Sequence, residues 1–365
     1  MNKIVILGGA RDFHAMDWYR TVQKNASGWE IIFLTDLIES EGYNNIVLEK
    51  DNIEKLFIID KFLFKKQSTL GNIWRNIFKL LVLPIQIYKL KKFYKKNPNS
   101  IFHAHPMYYM FLCWLSGVKY IGSPQGDEIL VRPNNSKLYK FFATKALMSA
   151  KYVIVDSQKM KNEIKNLSGV EAFIHQYGID IDELKKYENK NKNKITSIRG
   201  MLQLYRIEEI FNSREHCKIY DGIGFIYPYY EDNYLKNMQK RMNINDIDYG
   251  RLNKNDMYKL LSESYLIISI PISDSSPRSV YESIFLGCIV AITYNSFVES
   301  LPKCMRDRII IIDLNNNEWL KSAIDKANEL VINDYVPSIE AINMFDQNVS
   351  IKRVIDTLYI EKKEV

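Results

Sequence analysis

One pattern constrains this chain more than any other: short runs rich in Ile, Val and Tyr alternate with longer stretches of helical period, and they do so twice. In the first half the runs are "KIVIL" (3–7), "EIIFL" (30–34), "SIFHA" (100–104), "KYIG" (119–122) and "KYVIVD" (151–156), with helical stretches such as 137–149 and 157–167 between them. Runs of this kind, apolar nearly throughout, suit parallel strands covered by helices on both faces. A charged, Asn-rich segment, "ELKKYENKNKNK" (183–194), then interrupts the pattern and reads as a linker. Beyond it come "ITSIRG", "HCKIYDG", "INDIDYG", "YLIISIPIS", "GCIVAIT" and "RIIIID". The expected fold is α/β, with two doubly wound, Rossmann-like parallel-sheet domains facing each other across a ligand cleft. Its expected boundaries are 1–182, a linker at 183–194, a second domain at 195–345, and a helix at 346–365 that returns to the first domain. A length of 365 residues suits two such domains.

Composition removes several classes. With 47% hydrophobic and 25% charged residues the chain is that of a globular protein, not a disordered one. Cys113, Cys217, Cys288 and Cys304 form no C-x-x-C pair and have no His at metal-ligand spacing, so no metal is expected. No stretch approaches the roughly 20 apolar residues of a membrane span. The opening "MNKIVILGG" reads as a first strand, which leads to the expectation of a cytoplasmic protein. The net charge of +7 is unevenly placed: residues 61–96 hold ten Lys and Arg and no Asp or Glu. Aromatic and aliphatic residues alternate with them in "IWRNIFKLLVLPIQIYKLKKFYKK", which suits a helix lying on an anionic membrane surface and equally suits a covering helix with a basic solvent face. Pro84 is expected to divide the segment. No nucleic-acid partner is expected.

The sharpest chemistry lies in "YLIISIPISDSSPRSVYES" (265–283). A central strand ends in turn residues, and a helix is expected to start there with Ser276 as its N-cap and Pro277 in its first turn. Asp274 falls in the loop and Glu282 within the helix. Arg278 stands in the first turn, where a cation is repelled by the helix dipole unless an anion is close. A solvated side chain is the plain alternative, at a cost of about 0.5 kcal/mol. In "SIRGMLQLYRIEEI", Arg199 and Arg206 flank another strand-to-helix loop, with Gly200 at the turn, so that two cations can meet one anion.

These residues bring a resemblance into view. The second half resembles the retaining nucleotide-sugar glycosyltransferases of family 4, whose architecture is GT-B and whose signature is E-x7-E followed by an apolar helix and strand. Here the pair is D-x7-E, Asp274 to Glu282, followed by "SIFLGCIVAIT". "SIRGMLQLYR" is similar to the family's basic diphosphate loop, and "DYGRLNKNDMYKLLSESYLIISIPIS" to its G-x-L-x4-(M/L) stretch. In the first half, "KYVIVDSQKMKNEI", "YGIDIDEL" and "IFHAH" match its S-x-x-(M/L), G-(I/V)-D and histidine-bearing elements. About residues 100–295 are covered.

By resemblance, Glu282 would bind the ribose, and Asp274 with Ser275, Ser276, Pro277, Arg278 and Ser279 would hold the donor sugar and diphosphate. Arg199 and Arg206 would neutralise that diphosphate, and Gly8 and Gly9 would let the first-domain backbone approach it. His105, and less so His103, would contact donor or acceptor. Gln125 and Asp127 in "GSPQGDEI" stand near the place of a family histidine, and with Arg11 and Asp17 they form the expected acceptor side. The pattern departs from the family in having Asp for the first Glu and no Lys as the second base. The implied reaction is transfer of a sugar from a nucleotide diphosphate sugar, a substrate and not a cofactor, to a glycan or lipid-linked acceptor. It would proceed with retention, without a metal, in surface polysaccharide or lipopolysaccharide assembly. A GT-B sugar-nucleotide epimerase and a non-catalytic carbohydrate-binding subunit are the alternatives. "VILGGARDF" with Asp36 also suggests a dinucleotide site, although G-x-G-x-x-G is not present.

Overall fold

The computed structural model describes residues 2–38, 46–64, 69–219, 221–272, 274 and 276–360. It divides into two compact units, 1–177 with 348–365, and 178–347. Each is a parallel α/β sheet.

The first unit holds seven strands: β1 (Lys3–Leu7), β2 (Glu30–Thr35), β3 (Ile53–Lys55), β4 (Ile101–Ala104), β5 (Tyr120–Gly122), β6 (Tyr152–Val155) and β7 (Phe173–Ile174), in the order β3-β2-β1-β4-β5-β6-β7. All pairings are parallel, with Val5 against Ile32 on one side of β1 and Phe102 on the other. The direction of winding reverses between β1 and β4, and at such a point the helices diverge and leave a crevice at the carboxyl ends of the strands. Among its helices are α1 (Phe13–Asn25), α2 (Thr69–Lys96), α3 (Met107–Ser116), α4 (Gly126–Leu130), α5 (Arg132–Asn135), α6 (Lys137–Ser149) and α7 (Gln158–Ser168).

The helix α2 runs unbroken through Pro84. The expected division does not occur because Pro84 is exposed, so its ring and the carbonyl it leaves unbonded meet solvent instead of the core. Val82, Gln86 and Leu90 form the buried stripe of the second half of α2, at the i, i+4 spacing of one helical face. In its first half Leu70, Ile73, Ile77, Leu80 and Leu81 are exposed. No helix among the described residues is long and apolar enough to cross a membrane.

The second unit begins with α8 (Ile181–Lys185) and has β8 (Lys194–Ser197), β9 (Ile223–Ile226), β10 (Ile247–Gly250), β11 (Ser264–Ser269), β12 (Ile289–Thr293) and β13 (Ile309–Ile312), ordered β10-β9-β8-β11-β12-β13. Among its helices are α9 (Ile207–Cys217), α10 (Asp232–Gln239), α11 (Lys254–Ser262) and α12 (Arg278–Phe285). Its switch point lies between β8 and β11.

Three expectations need correction. Residues 183–194 are not a free linker: Leu184 is buried, the Tyr187 ring packs edge-on against Tyr258, and Lys192 Nζ donates to the carbonyls of Ser262 and Leu286, both at 2.7 Å. The chain instead enters this unit at Gly178 and leaves it at Gln347. There Ile179 N donates to Phe345 O (2.7 Å) and Gln347 N to Ile179 O (2.9 Å). Gly178 has φ +74°, and a Cβ on it would stand 2.7 Å from the Gln347 Cα, so glycine is required on both counts. Thirdly, within "HCKIYDG" His216 and Cys217 end α9 and no strand forms among the described residues; the strand is "IGFI", whose Ile223 and Phe225 are buried.

Candidate functional site

At the switch point of the second unit, β8 delivers Arg199 and β11 delivers the loop carrying Asp274. The Arg199 Nε donates to Ser269 Oγ (2.6 Å), and its Nη2 lies 2.8 Å from Asp274 Oδ2. That second contact is an ion pair by distance whose N–H is not aligned as a hydrogen bond, for Nη2 is buried and has no aligned acceptor. Asn295 Nδ2 donates to the Asp274 carbonyl (2.9 Å) and fixes the loop from the β12 side. A small cleft of about 10 Å³ remains between Arg199, Ser269, Pro271, Asp274, Thr293 and Asn295.

Arg206 has a different task from the one its sequence position suggests. It adopts φ 52°, caps α9, and directs Nε to Ile270 O (2.8 Å) and Nη2 to Pro271 O (2.8 Å) and Thr293 Oγ1 (2.9 Å). Strand-end carbonyls without ladder partners are acceptors that a planar fork fits well, so Arg206 braces the loop after β11. Burial lowers its pKa from the ordinary value.

Arg278 also acquires a reason within the protein. Glu282 is buried, 4% exposed, and its Oε1 accepts from Tyr258 Oη (2.7 Å) and from Arg278 Nε (3.2 Å). Arg278 Nη2 reaches Gln347 Oε1 at 3.3 Å. A buried carboxylate is costly unless paired, and an i, i+4 arginine supplies the pair, which offsets the unfavourable place of a cation in the first turn of α12. The N-cap is Pro277 with no side-chain cap, not Ser276. Ser279 lends its carbonyl to Ser283 Oγ (2.7 Å). Ser275 lies outside the described residues.

The switch point of the first unit is built from Gly8, Gly9 and His105. The two strand ends meet through His105 N donating to Leu7 O (2.8 Å). A Cβ on Gly8 would stand 2.9 Å from Phe33 Cζ and 3.2 Å from His105 O, so packing of the protein against itself already demands glycine there. His103 is locked between Tyr359 Oη and Ser123 Oγ (2.7 Å for the latter), and burial lowers its pKa to about 3; it is a neutral structural residue. His105 is different: Nδ1 is held by Ser123 O (2.9 Å), while Nε2 is buried and has no hydrogen-bond partner. Burial lowers its pKa too, against the opposing pull of Asp12.

Beside this point a cavity of about 860 Å³ opens within the unit. Gly9, Arg11 and Gln125 line it, and Asp17 does not: it stands in the second turn of α1. Asp127 is half exposed and paired with Arg132 (2.6 Å). The acid that sequence reading passed over is its neighbour Glu128, which accepts at Oε2 from the N–H groups of Met107 and Gln125, both at 2.9 Å, and so ties α3 to α4. Burial raises its pKa to about 7 against those bonds. Its capping box, Gln125 with Glu128 three residues on, was visible in "QGDE". Asp36 is also committed. It accepts from Tyr109 Oη and Gln86 Nε2 (3.2 Å) and lies 3.6 Å from Lys79 Nζ, which removes it as a ribose ligand of a dinucleotide site.

Solved structures share this fold. The UDP complex of Anabaena Alr3699/HepE matches with a TM-score of 0.70 at 12% identity, over 97% of this chain and 98% of that one. Sucrose-phosphate synthase from Thermosynechococcus elongatus matches at 0.72 and 12%, over 98% of each chain. The chain has the GT-B fold. A third GT-B match, a putative UDP-N-acetylglucosamine 2-epimerase from Listeria monocytogenes, has a TM-score of 0.60 at 13% identity, over 97% of this chain and 94% of that one. No protein-family model matches the sequence, and no curated protein matches it. Identities this low carry the GT-B fold alone.

Proposed function

We propose that the protein is a glycosyltransferase of the retaining, family 4 kind, which moves a sugar from a nucleotide diphosphate sugar to a hydroxyl of a glycan or lipid-linked glycan. The observation that carries this is the Arg199–Asp274 pair at the β8/β11 switch point, where sheets of this order hold ligands. In this reading Arg199 turns its poorly aligned Nη2 to the diphosphate, Asp274 and Glu282 bind sugar and ribose, and the start of α12 offers N–H groups to phosphate. Arg206 keeps the loop in place. His105 offers Nε2 to a hydroxyl of donor or acceptor.

The bond from the anomeric carbon to the diphosphate oxygen breaks as the acceptor oxygen bonds on the same face, and the acceptor proton passes to the departing phosphate. Charge grows on the diphosphate, and Arg199 stabilises it without a metal. The exposed apolar and basic character of α2 supports a place on the cytoplasmic membrane face, in polysaccharide or lipopolysaccharide assembly. A thermal-shift panel of nucleoside mono- and diphosphates tests the donor: stabilisation by one diphosphate, absent in Arg199→Ala, is expected, and no response to any of them overturns the reading. The epimerase neighbour favours a second reading. Product in which the sugar is altered and still nucleotide-linked, formed without acceptor, would select it.

A further inference from the structure

Once the three arginines of the β8/β11 switch point are placed, little positive charge is left there for an anion. Arg199 lies against Asp274, Arg278 is paired with Glu282, and Arg206 directs Nε and Nη2 at the carbonyls of Ile270 and Pro271. Two carboxylates against three guanidiniums leave one charge, and it belongs to the arginine that braces the loop. A diphosphate in this place needs neutral hydrogen-bond donors as well.

Such donors stand beside Arg199. The segment between β8 and α9 carries Tyr205, that after β9 carries Tyr229, and their hydroxyls are hydrogen-bonded to each other. Backbone bonds join the two segments: Met201 N donates to Tyr229 O and Glu231 N to Met201 O, both at 3.1 Å. A Cβ on Gly200 would stand 2.8 Å from Tyr229 Cε2, so glycine directly after Arg199 is what lets this ring lie so close to the strand end. The Arg199 Cζ is 5.9 Å from the Tyr205 ring centroid, and the charges of Arg199 and Asp274 both act on the Tyr229 phenol. Both phenols border the place of an anion on Arg199.

Two phenols bring two protons, and whichever oxygen donates, their mutual bond takes only one. The other has no acceptor among the described residues. Tyr229 is 42% exposed, and a hydroxyl turns about its own C–O bond, so this proton can follow an incoming oxygen. Burial first, and then the bond to Tyr205, raise the Tyr229 pKa, which keeps the phenol protonated at neutral pH.

We infer that the Tyr205/Tyr229 pair is an anion-binding element of the donor site, which gives its unused phenolic proton as a hydrogen bond to a diphosphate oxygen held at Arg199. The inference rests on the transferase reading, since the diphosphate is that of its donor. The phenol stays protonated throughout: it stabilises the charge that grows on the diphosphate, and the acceptor proton still goes to the departing phosphate.

The test measures binding of UDP, GDP, CDP, ADP and dTDP to the full chain by titration calorimetry, in the wild type, Tyr205→Phe, Tyr229→Phe and Y205F/Y229F. Phenylalanine keeps both rings and their packing. If the pair serves the ligand, either single variant retains one phenol, released from its partner, and is expected to lose no more than about threefold in affinity for the nucleotide that binds the wild type. The double variant retains none and is expected to lose about 10- to 100-fold, as for a hydrogen bond to a charged group. If the pair only ties two segments together, either single variant already breaks the tie and the second change adds nothing. A double variant that binds no more weakly than the weaker single variant therefore overturns the inference and leaves the donor reading. A wild type that binds none of the nucleotides overturns both.

Discussion

The two sheets solve the same topological problem in opposite ways. At the β8/β11 switch point the polar groups are already partnered with one another: Arg199 with Asp274, Arg206 with strand-end carbonyls, and Arg278 with Glu282, leaving a cleft of about 10 Å³. At the β1/β4 switch point the neighbouring space is about 860 Å³, and His105 keeps a buried nitrogen without a partner. A ligand at the first place must exchange partners with an existing network, which favours recognition of one defined charge pattern. A ligand at the second enters a preformed space, and shape and apolar area decide what fits.

Several substitutions would break or sharpen that contrast. Arg199→Ala should have the largest effect, because it removes the proposed diphosphate partner and the ion pair of Asp274; transfer is expected to fall by about 100- to 1,000-fold, measured as kcat/KM for the donor. Next, Glu282→Ala removes the buried carboxylate that Tyr258 Oη and Arg278 Nε share and should cost about 3 kcal/mol in urea unfolding. Glu282→Gln, which keeps the size and one acceptor oxygen, should recover much of that stability and little donor affinity. If the glutamine restores both, the acid is purely structural.

Glu128 gives a pH test on the other side. Its folded pKa, about 7, lies above the ordinary 4.5, so the folded state favours the protonated acid. Its stabilising contribution is complete below pH 4.5 and is lost as pH rises through 7. The wild type should therefore lose about 3 kcal/mol between pH 4.5 and 7.5 relative to Glu128→Gln, by urea unfolding at each pH. The smallest effect should come from Asp127→Asn. It breaks a half-exposed ion pair with Arg132 and should change stability by about 0.5 kcal/mol or less and activity by less than twofold.

The fold is legible in the sequence. Apolar runs located both sheets because a buried parallel strand has no polar face to hide its signal. The positions of Arg199 and Asp274 at strand ends were legible as well, since each follows an apolar run and precedes a helix. What was lost lies where a local rule met a tertiary one. Lys and Asn around Leu184 and Tyr187 make a packed segment read as linker, because one buried and one half-buried apolar side chain in twelve residues do not set a period. Arg278 seemed to call for a bound anion, and Glu282 one turn later had already answered it. Glu128 was masked by Asp127 beside it: two adjacent acids look alike in sequence, and only packing separates the exposed one from the one that titrates near neutrality.

The pairing of Ile179 with Phe345 and Gln347 has a consequence for how the chain was assembled. Ile179, the second residue of 178–347, is hydrogen-bonded to Gln347, the last, so this stretch behaves as a cassette spliced into a host at a single point. It should be possible to lift it out as one continuous gene segment, express it alone, and close the host by joining Tyr177 to Asn348 through a few glycines. A protein made this way can exchange the 178–347 cassette for another without disturbing the sheet into which it is inserted.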